Sequence, residues 1–281
     1  MTIRLVSPNF SDLLTPNIEI KKFPDGDCYI RVPQIDECRN REVVLYHRLY
    51  PNQNDNLVEL LFILDALKQV DANVTVVAPY LPYARQDKVV REGEVKSASI
   101  ICGLLANAGC EKLVAFDVHF LNSEGEHEIE GLKLVNLSMG EALIKEAEKL
   151  FGGEPYELVA PDKGASYLFA GRAGKWMEKL RGDYAEGGHA YRHVKHMKMD
   201  VEKIAENVLI VDDIIETGGT ILRCVAELKA LGAKNIVCAT VHGQFLNDSL
   251  SSIQSHCKTI LATDTIVSTV SKVSIKNKIN F

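Results

Sequence analysis

The stretch VLIVDDIIETGGT, Val208 to Thr220, decides the reading of this chain. Val208 to Val211 are four apolar residues, the length and composition of a fully buried strand. Asp212 and Asp213 follow at once and read as an acidic turn. Thr217, Gly218, Gly219 and Thr220 then make a Gly-rich loop. Beyond it Ile221, Leu222, Val225, Leu228 and Leu231 recur at helical spacing, and Gly232 stands where a helix-ending residue belongs. Strand, loop and helix N-terminus in this order make an anion site. The first amides of a helix have no intrahelical partner, and the helix end favours negative charge by roughly 0.3–1 kcal/mol when exposed. The glycines let the backbone approach a phosphate, and the threonines add hydroxyl donors. Phosphate alone does not account for two adjacent carboxylates, which repel it. Vicinal hydroxyls do, because carboxylates accept from them. The ligand read from this stretch is a sugar phosphate with a free diol. No Gly-Lys-Ser/Thr follows, so this is not a P-loop.

The remainder of the chain bounds what surrounds that loop. With 281 residues, 46% hydrophobic and 25% charged, two globular domains of ordinary size are expected. The formal net charge of −6 argues against a nucleic-acid backbone as partner. No apolar run approaches the roughly 20 residues that span a bilayer, so no membrane association is expected. The first residues turn polar too soon for a signal peptide. The seven cysteines are scattered and form no C-x-x-C, which suggests reduced thiols in a cytoplasmic protein.

Strands are expected at 3–6, 18–21, 42–46, 74–78, 112–118, 157–160 and 258–263, and helices from Asn54, at 97–108, at 139–150 and at 248–256. FPDGD, 23–27, is a turn between strands. Ser138 with Glu141 has the form of a capping box. A helix carrying Trp176 is expected over 165–180, a loop at 184–188, a strand at 190–194 and a loop after it. Gly109 precedes a strand-like run ending at His119, and Gly232 precedes one of equal length ending at His242. The simplest account of this echo is one α/β domain present twice, over 1–138 and 139–281. Each domain is expected to be a mostly parallel sheet flanked by helices.

Sites in open α/β sheets lie at the carboxyl ends of the strands. The residues collected there are Arg85, Gln86, Asp87, His119, Asp162, Lys195, Asp212 and Asp213. Phosphate-binding, hydroxyl-binding and metal-ligating groups together suit phosphoryl transfer with Mg²⁺. The opening stretch resembles the phosphoribosyl-diphosphate loop of type I phosphoribosyltransferases. FPDGD at 23–27, NDNLVEL at 54–60, PYLPYARQD at 79–87, DVH at 117–119 and APD at 160–162 narrow the resemblance to the ribose-phosphate diphosphokinase family, whose domains are duplicated and phosphoribosyltransferase-like. The resemblance implies diphosphoryl transfer from ATP to ribose 5-phosphate. It implies that Arg85, Gln86, Asp87 and His119 bind ATP, with His119 and Asp162 at Mg²⁺. Phe23, Asp25 and Asp27 would reach the adenine of a neighbouring subunit in a homodimer or higher homo-oligomer. Asp212, Asp213, Glu216, Thr217, Gly218, Gly219 and Thr220 would hold ribose 5-phosphate. Lys195 would sit on the catalytic loop and, with Arg85, stabilise charge in the transition state, with Lys198 as its alternate.

This sequence departs from the family pattern at four places. Glu216 stands where Asp is usual, and Asp27 where Glu is common. Met197 occupies the place of the second loop cation. Lys88 to Lys96 lacks the Arg-Pro-rich pattern, so no phosphate-activated allosteric site is carried over. Two other functions remain open at this point: a catalytically silent regulatory homologue, and a phosphoribosyltransferase that consumes phosphoribosyl diphosphate.

Overall fold

The computed structural model describes residues 2–184 and 192–280. The chain divides into two compact units, Met1–Leu137 with Lys276–Phe281, and Ser138–Ile275. The sequence pattern puts 276–281 with the second half; in the structure residues 276–280 belong to the first unit, where the Tyr46 hydroxyl donates to the Ile279 carbonyl at 2.9 Å.

In the first unit, β1 (Ile3–Val6) is followed by a hairpin of β2 (Glu19–Lys22) and β3 (Cys28–Arg31). Then come β4 (Glu42–Tyr46), α1 (Gln53–Lys68), β5 (Asn73–Val77), α2 (Ser97–Asn107), β6 (Cys110–Phe116), β7 (Gly125–Ile129) and β8 (Leu132–Leu137). The sheet order is β1-β4-β5-β6-β8-β7, parallel except for the β7 edge. Central strands such as VVLY in β4 are apolar throughout because both faces are covered. Leu57, Leu60, Leu64 and Leu67 of α1 are buried, as their spacing requires. The β7–β8 hairpin was missed in the sequence. Its turn has Glu130 and Gly131 both at positive φ, 51° and 79°.

In the second unit, α3 (Gly140–Glu148), β9 (Glu157–Ala160), β10 (Lys175–Trp176), β11 (Glu178–Tyr184) and β12 (Arg192–Lys198) come first. β13 (Asn207–Ile215), α4 (Gly219–Ala230), β14 (Asn235–Gly243), α5 (Ser249–Gln254), β15 (Thr259–Thr263) and β16 (Ser271–Val273) follow. The sheet order is β10-β9-β13-β14-β15-β16, parallel throughout. β11 and β12 form a separate antiparallel pair.

Several expectations need correction here. The helix expected over 165–180 is a 3₁₀ turn at Gly164–Phe169. Ala170 and Gly171 turn to φ 52° and 80°, which ends any right-handed helix, and Trp176 lies on β10. At Gly174 a Cβ would collide with the Phe169 ring, so the chain folds back tightly on that turn. The expected capping box is not the cap observed: α3 is capped at Met139, with no side-chain cap bond. Ser138 accepts from the Gly140 amide at 3.2 Å, whereas Glu141 pairs with Arg172. The loop expected at 184–188 and the start of the strand expected at 190–194 fall on 185–191, outside the described residues. Among the described residues no helix is long and apolar enough to cross a membrane.

Candidate active site

Asp212 and Asp213 are not in a turn. β13 runs on through them to Ile215, and both side chains are buried. Neighbouring β14 holds them in the sheet, with Asp212 opposite Thr240 and Ile214 opposite His242. β9 flanks the other side, with Ile210 opposite Val159. β9 ends at Ala160, and Asp162 lies two residues past its carboxyl end. The Asp162 carboxylate accepts from the Ala165 amide at 3.3 Å.

The loop itself is only Glu216, Thr217 and Gly218. Gly218 occupies the cap of α4 at φ 74°. A Cβ there would stand 3.0 Å from Ile253 Cδ1 and 3.3 Å from Ser249 Cβ. Both the backbone angle and the space therefore require glycine. The carbonyls of this segment are already satisfied. Ile215 accepts from the amides of Gln244 and Phe245, and Glu216 from Leu246 at 2.9 Å and Ser249 Oγ at 3.1 Å. The amides of Gly218, Gly219 and Thr220 have no partner among the described residues. Carbonyls tied down and amides open give the polarity an anion needs. The bracing from Ser249 and Ile253 was missed in the sequence. Its only signal was their i, i+4 spacing on a short polar helix.

Lys195 lies on β12, a strand rather than a loop. Leu180 pairs with His196 but Arg181 with Val194, so the register skips Lys195 and a β-bulge falls on it. Met197 is buried with Met177 and Met199, and Lys198 between them is exposed.

In the first unit, the loop 79–87 leaves the end of β5 and the run 117–119 leaves the end of adjacent β6. The loop is pinned at Tyr83, whose φ is 63°. Its hydroxyl donates to Asn54, its carbonyl accepts from Ser97 Oγ at 3.1 Å, and the Ala98 amide donates to Gln86 O at 3.3 Å. Arg85 and Gln86 are exposed; Asp87 is half-buried and lies 3.6 Å from Lys88 Nζ. Asp117 turns the chain out of the sheet at φ 38°. Buried Asn136 accepts from the Val118 amide at 2.9 Å and donates to the Ser123 carbonyl at 2.8 Å, fixing the turn that presents exposed His119. Phe23, Asp25 and Asp27 ride on the exposed β2–β3 turn, closed by Phe23 N to Asp27 O at 2.8 Å. The Phe23 ring packs edge-on against Tyr29, with centroids 5.9 Å apart, and remains half exposed.

A cleft of about 740 Å³ opens elsewhere in the second unit, between Glu148, Tyr156, Glu157, Arg172 and Lys175. It lies at the amino end of β9, opposite the end that bears Asp162. Its cations are already paired, Arg172 with Glu141 and Lys175 with Glu157 at 2.7 Å. The loop after β13 and Asp162 lie at the opposite, carboxyl end of the strands.

Residues 11–109 match the N-terminal domain of ribose phosphate pyrophosphokinase, and residues 137–275 match the phosphoribosyl transferase domain. A ribose-phosphate pyrophosphokinase of Pyrococcus abyssi is 35% identical, over 92% of this chain and 87% of its own. The chain belongs to the ribose-phosphate pyrophosphokinase family. A second pyrophosphokinase of the family, from Sulfurisphaera tokodaii, is 34% identical over the same shares of both chains. The fold of this pyrophosphokinase-family chain matches the crystal structure of phosphoribosylpyrophosphate synthetase from Mycobacterium smegmatis. That match has a TM-score of 0.81 at 21% identity, and covers 99% of this chain and 96% of that one.

Proposed function

We propose that this chain transfers the diphosphoryl group of MgATP to the C1 hydroxyl of ribose 5-phosphate, giving phosphoribosyl diphosphate and AMP. The observation that carries the reading is the end of β13: two buried carboxylates, then open amides at Gly218, Gly219 and Thr220. The amides take the 5-phosphate, with Thr217 and Thr220 hydroxyls beside them. Asp212 and Asp213 accept from the 2- and 3-hydroxyls, and Glu216 lies within the same turn. So held, the C1 oxygen attacks the β-phosphorus in line. The bond from that phosphorus to the α–β bridging oxygen breaks, and AMP leaves with the bridging oxygen. Arg85, Gln86 and Asp87 bind the triphosphate side of the reaction. Phe23, Asp25 and Asp27, exposed on their turn, serve the adenine bound by a neighbouring copy in a homo-oligomer.

Mg²⁺ typically takes one or two carboxylates and completes its shell with phosphate oxygens and water. The donor set fits that habit. Asp162 supplies a strand-end carboxylate, and among the described residues no cluster of three ligating side chains forms a protein-only cage. Asp162 is the residue of the second unit that would hold the ion, whose chemistry is neutralisation of charge on the phosphates.

Lys195 supplies positive charge to the transition state. Met197 cannot, since its side chain is core. Lys195→Ala is expected to lower kcat by about 10²–10³ with folding intact. A rate near wild type would transfer the role to Lys198. Met197 also favours the second reading, a catalytically silent regulatory homologue. Incubation with ATP, Mg²⁺ and ribose 5-phosphate separates the two. Equal, sugar-dependent formation of AMP and phosphoribosyl diphosphate supports the enzyme; ATP binding without either product supports the regulator.

A further inference from the structure

Two cysteines lie behind the phosphate loop. Cys238, on β14, is fully buried, and Cys257, just past α5, is half-buried. Their sulfurs are 3.3 Å apart. We propose that Cys238 and Cys257 form a reversible dithiol–disulfide site, oxidised by exchange with a small disulfide of the glutathione class, and that its closure loosens the phosphate loop through α5.

Exposure sets the order of events, because only Cys257 can meet a solute. The hydrogen bond shared with the Cys238 thiol and the attraction of the Lys229 ammonium together outweigh burial and hold the Cys257 thiol below its ordinary range. The Cys257 thiolate attacks the small disulfide, forms a mixed disulfide and expels one thiolate. Cys238 Sγ then attacks Cys257 Sγ and expels the second small thiolate, which takes the Cys238 proton as it leaves. Both protein thiols are oxidised, and the small disulfide is reduced to two thiols.

The mechanical link is short. A disulfide bond is about 2.05 Å long, so the sulfurs must close by more than an ångström. The Cys257 amide is tied to the Ile253 carbonyl at 3.1 Å, and the Ile253 side chain abuts Gly218. Ser249, on the same short helix, holds the Glu216 carbonyl. A pull on Cys257 therefore reaches both contacts that brace the loop. A metal site of three ligands is not an alternative use of these thiols among the described residues. Cys224, buried in the same core, is the rival partner for Cys238.

The test is to incubate the purified full chain with oxidised glutathione and map its peptides without reduction. Hydrogen exchange over 216–222 is followed in the reduced and oxidised forms. No substrate is used, so the outcome stands apart from the proposed activity. A Cys238–Cys257 link, faster exchange at the Leu222 amide, which donates to the Gly218 carbonyl at 2.9 Å, and reversal of both by dithiothreitol are expected. Cys257→Ser should keep the melting temperature and lose the response. Free thiols after treatment, glutathione retained on Cys257, or a Cys224–Cys238 link would overturn the site. A mapped link with unchanged exchange would overturn its coupling to the loop.

Discussion

His119 and His242 stand at matching places in the two halves and meet opposite fates. Each follows a helix, a glycine at positive φ (Gly109 at 104°, Gly232 at 105°) and a strand of the parallel sheet. In the first unit the strand stops at Phe116, Asp117 turns the backbone outward, and His119 stands exposed at the sheet's carboxyl edge. In the second unit the strand continues to Gly243. His242 stays inside it, buried and 3.0 Å from the Thr265 hydroxyl. His47, one residue past β4, shares the second fate, enclosed by Ser7 Oγ at 2.8 Å and the Asn56 carbonyl at 2.9 Å. The lesson is that a histidine at a strand end is open to a ligand only where the backbone leaves the sheet in front of it.

His119→Ala offers the sharpest break of this comparison. It should cost about 10²–10³ in kcat and leave the melting temperature unchanged. A fall in stability with activity retained would make His119 structural as well. His47 should act only through folding. Burial pushes its pKa down to about 4 from 6.5, so the folded form stays neutral while the unfolded chain takes up a proton. Stability is then fully present above pH 6.5 and lost as pH falls through about 4, by roughly 3 kcal/mol in all. Denaturant unfolding across that range should show this acid loss, and His47→Gln should flatten it. His242→Ala removes one partner of a buried hydrogen bond. A loss of about 1–3 kcal/mol of stability is expected, with near-normal kcat/KM in the folded fraction. The smallest effect tests the repeat itself. Gly109→Ala and Gly232→Ala should each cost about 1–2 kcal/mol, because both force a Cβ into left-handed backbone. Unequal melting shifts would mean that the two helix ends are not equivalent.

The parallel sheets were legible because their strands are apolar runs between helical periodicities, and the Gly218 turn because a loop that cradles an anion needs glycine. The extent of β13 was not legible. Two carboxylates end a strand by local preference, and only pairing with β14 carries it past them. The segment after Asp162 misled for a related reason. Its composition suits a helix, but Ala170 adopts a positive φ that no pattern of side chains announces. Met197 was noticed as an absent charge. That it joins Met177 and Met199 in the core follows from strand alternation, once β12 is known to be a strand. The hairpin of β7 and β8 went unseen because Glu130 is an unusual residue for its turn.

The return of residues 276–280 to the first unit has a consequence for the chain during its synthesis. The second unit is one uninterrupted segment, so it can fold as soon as it has emerged. The first unit begins earlier yet finishes later. The carbonyl that receives the Tyr46 hydroxyl belongs to Ile279, which is made only after the whole second unit. Until then the domain lacks the segment that carries this carbonyl. The half translated first is thus the half completed last.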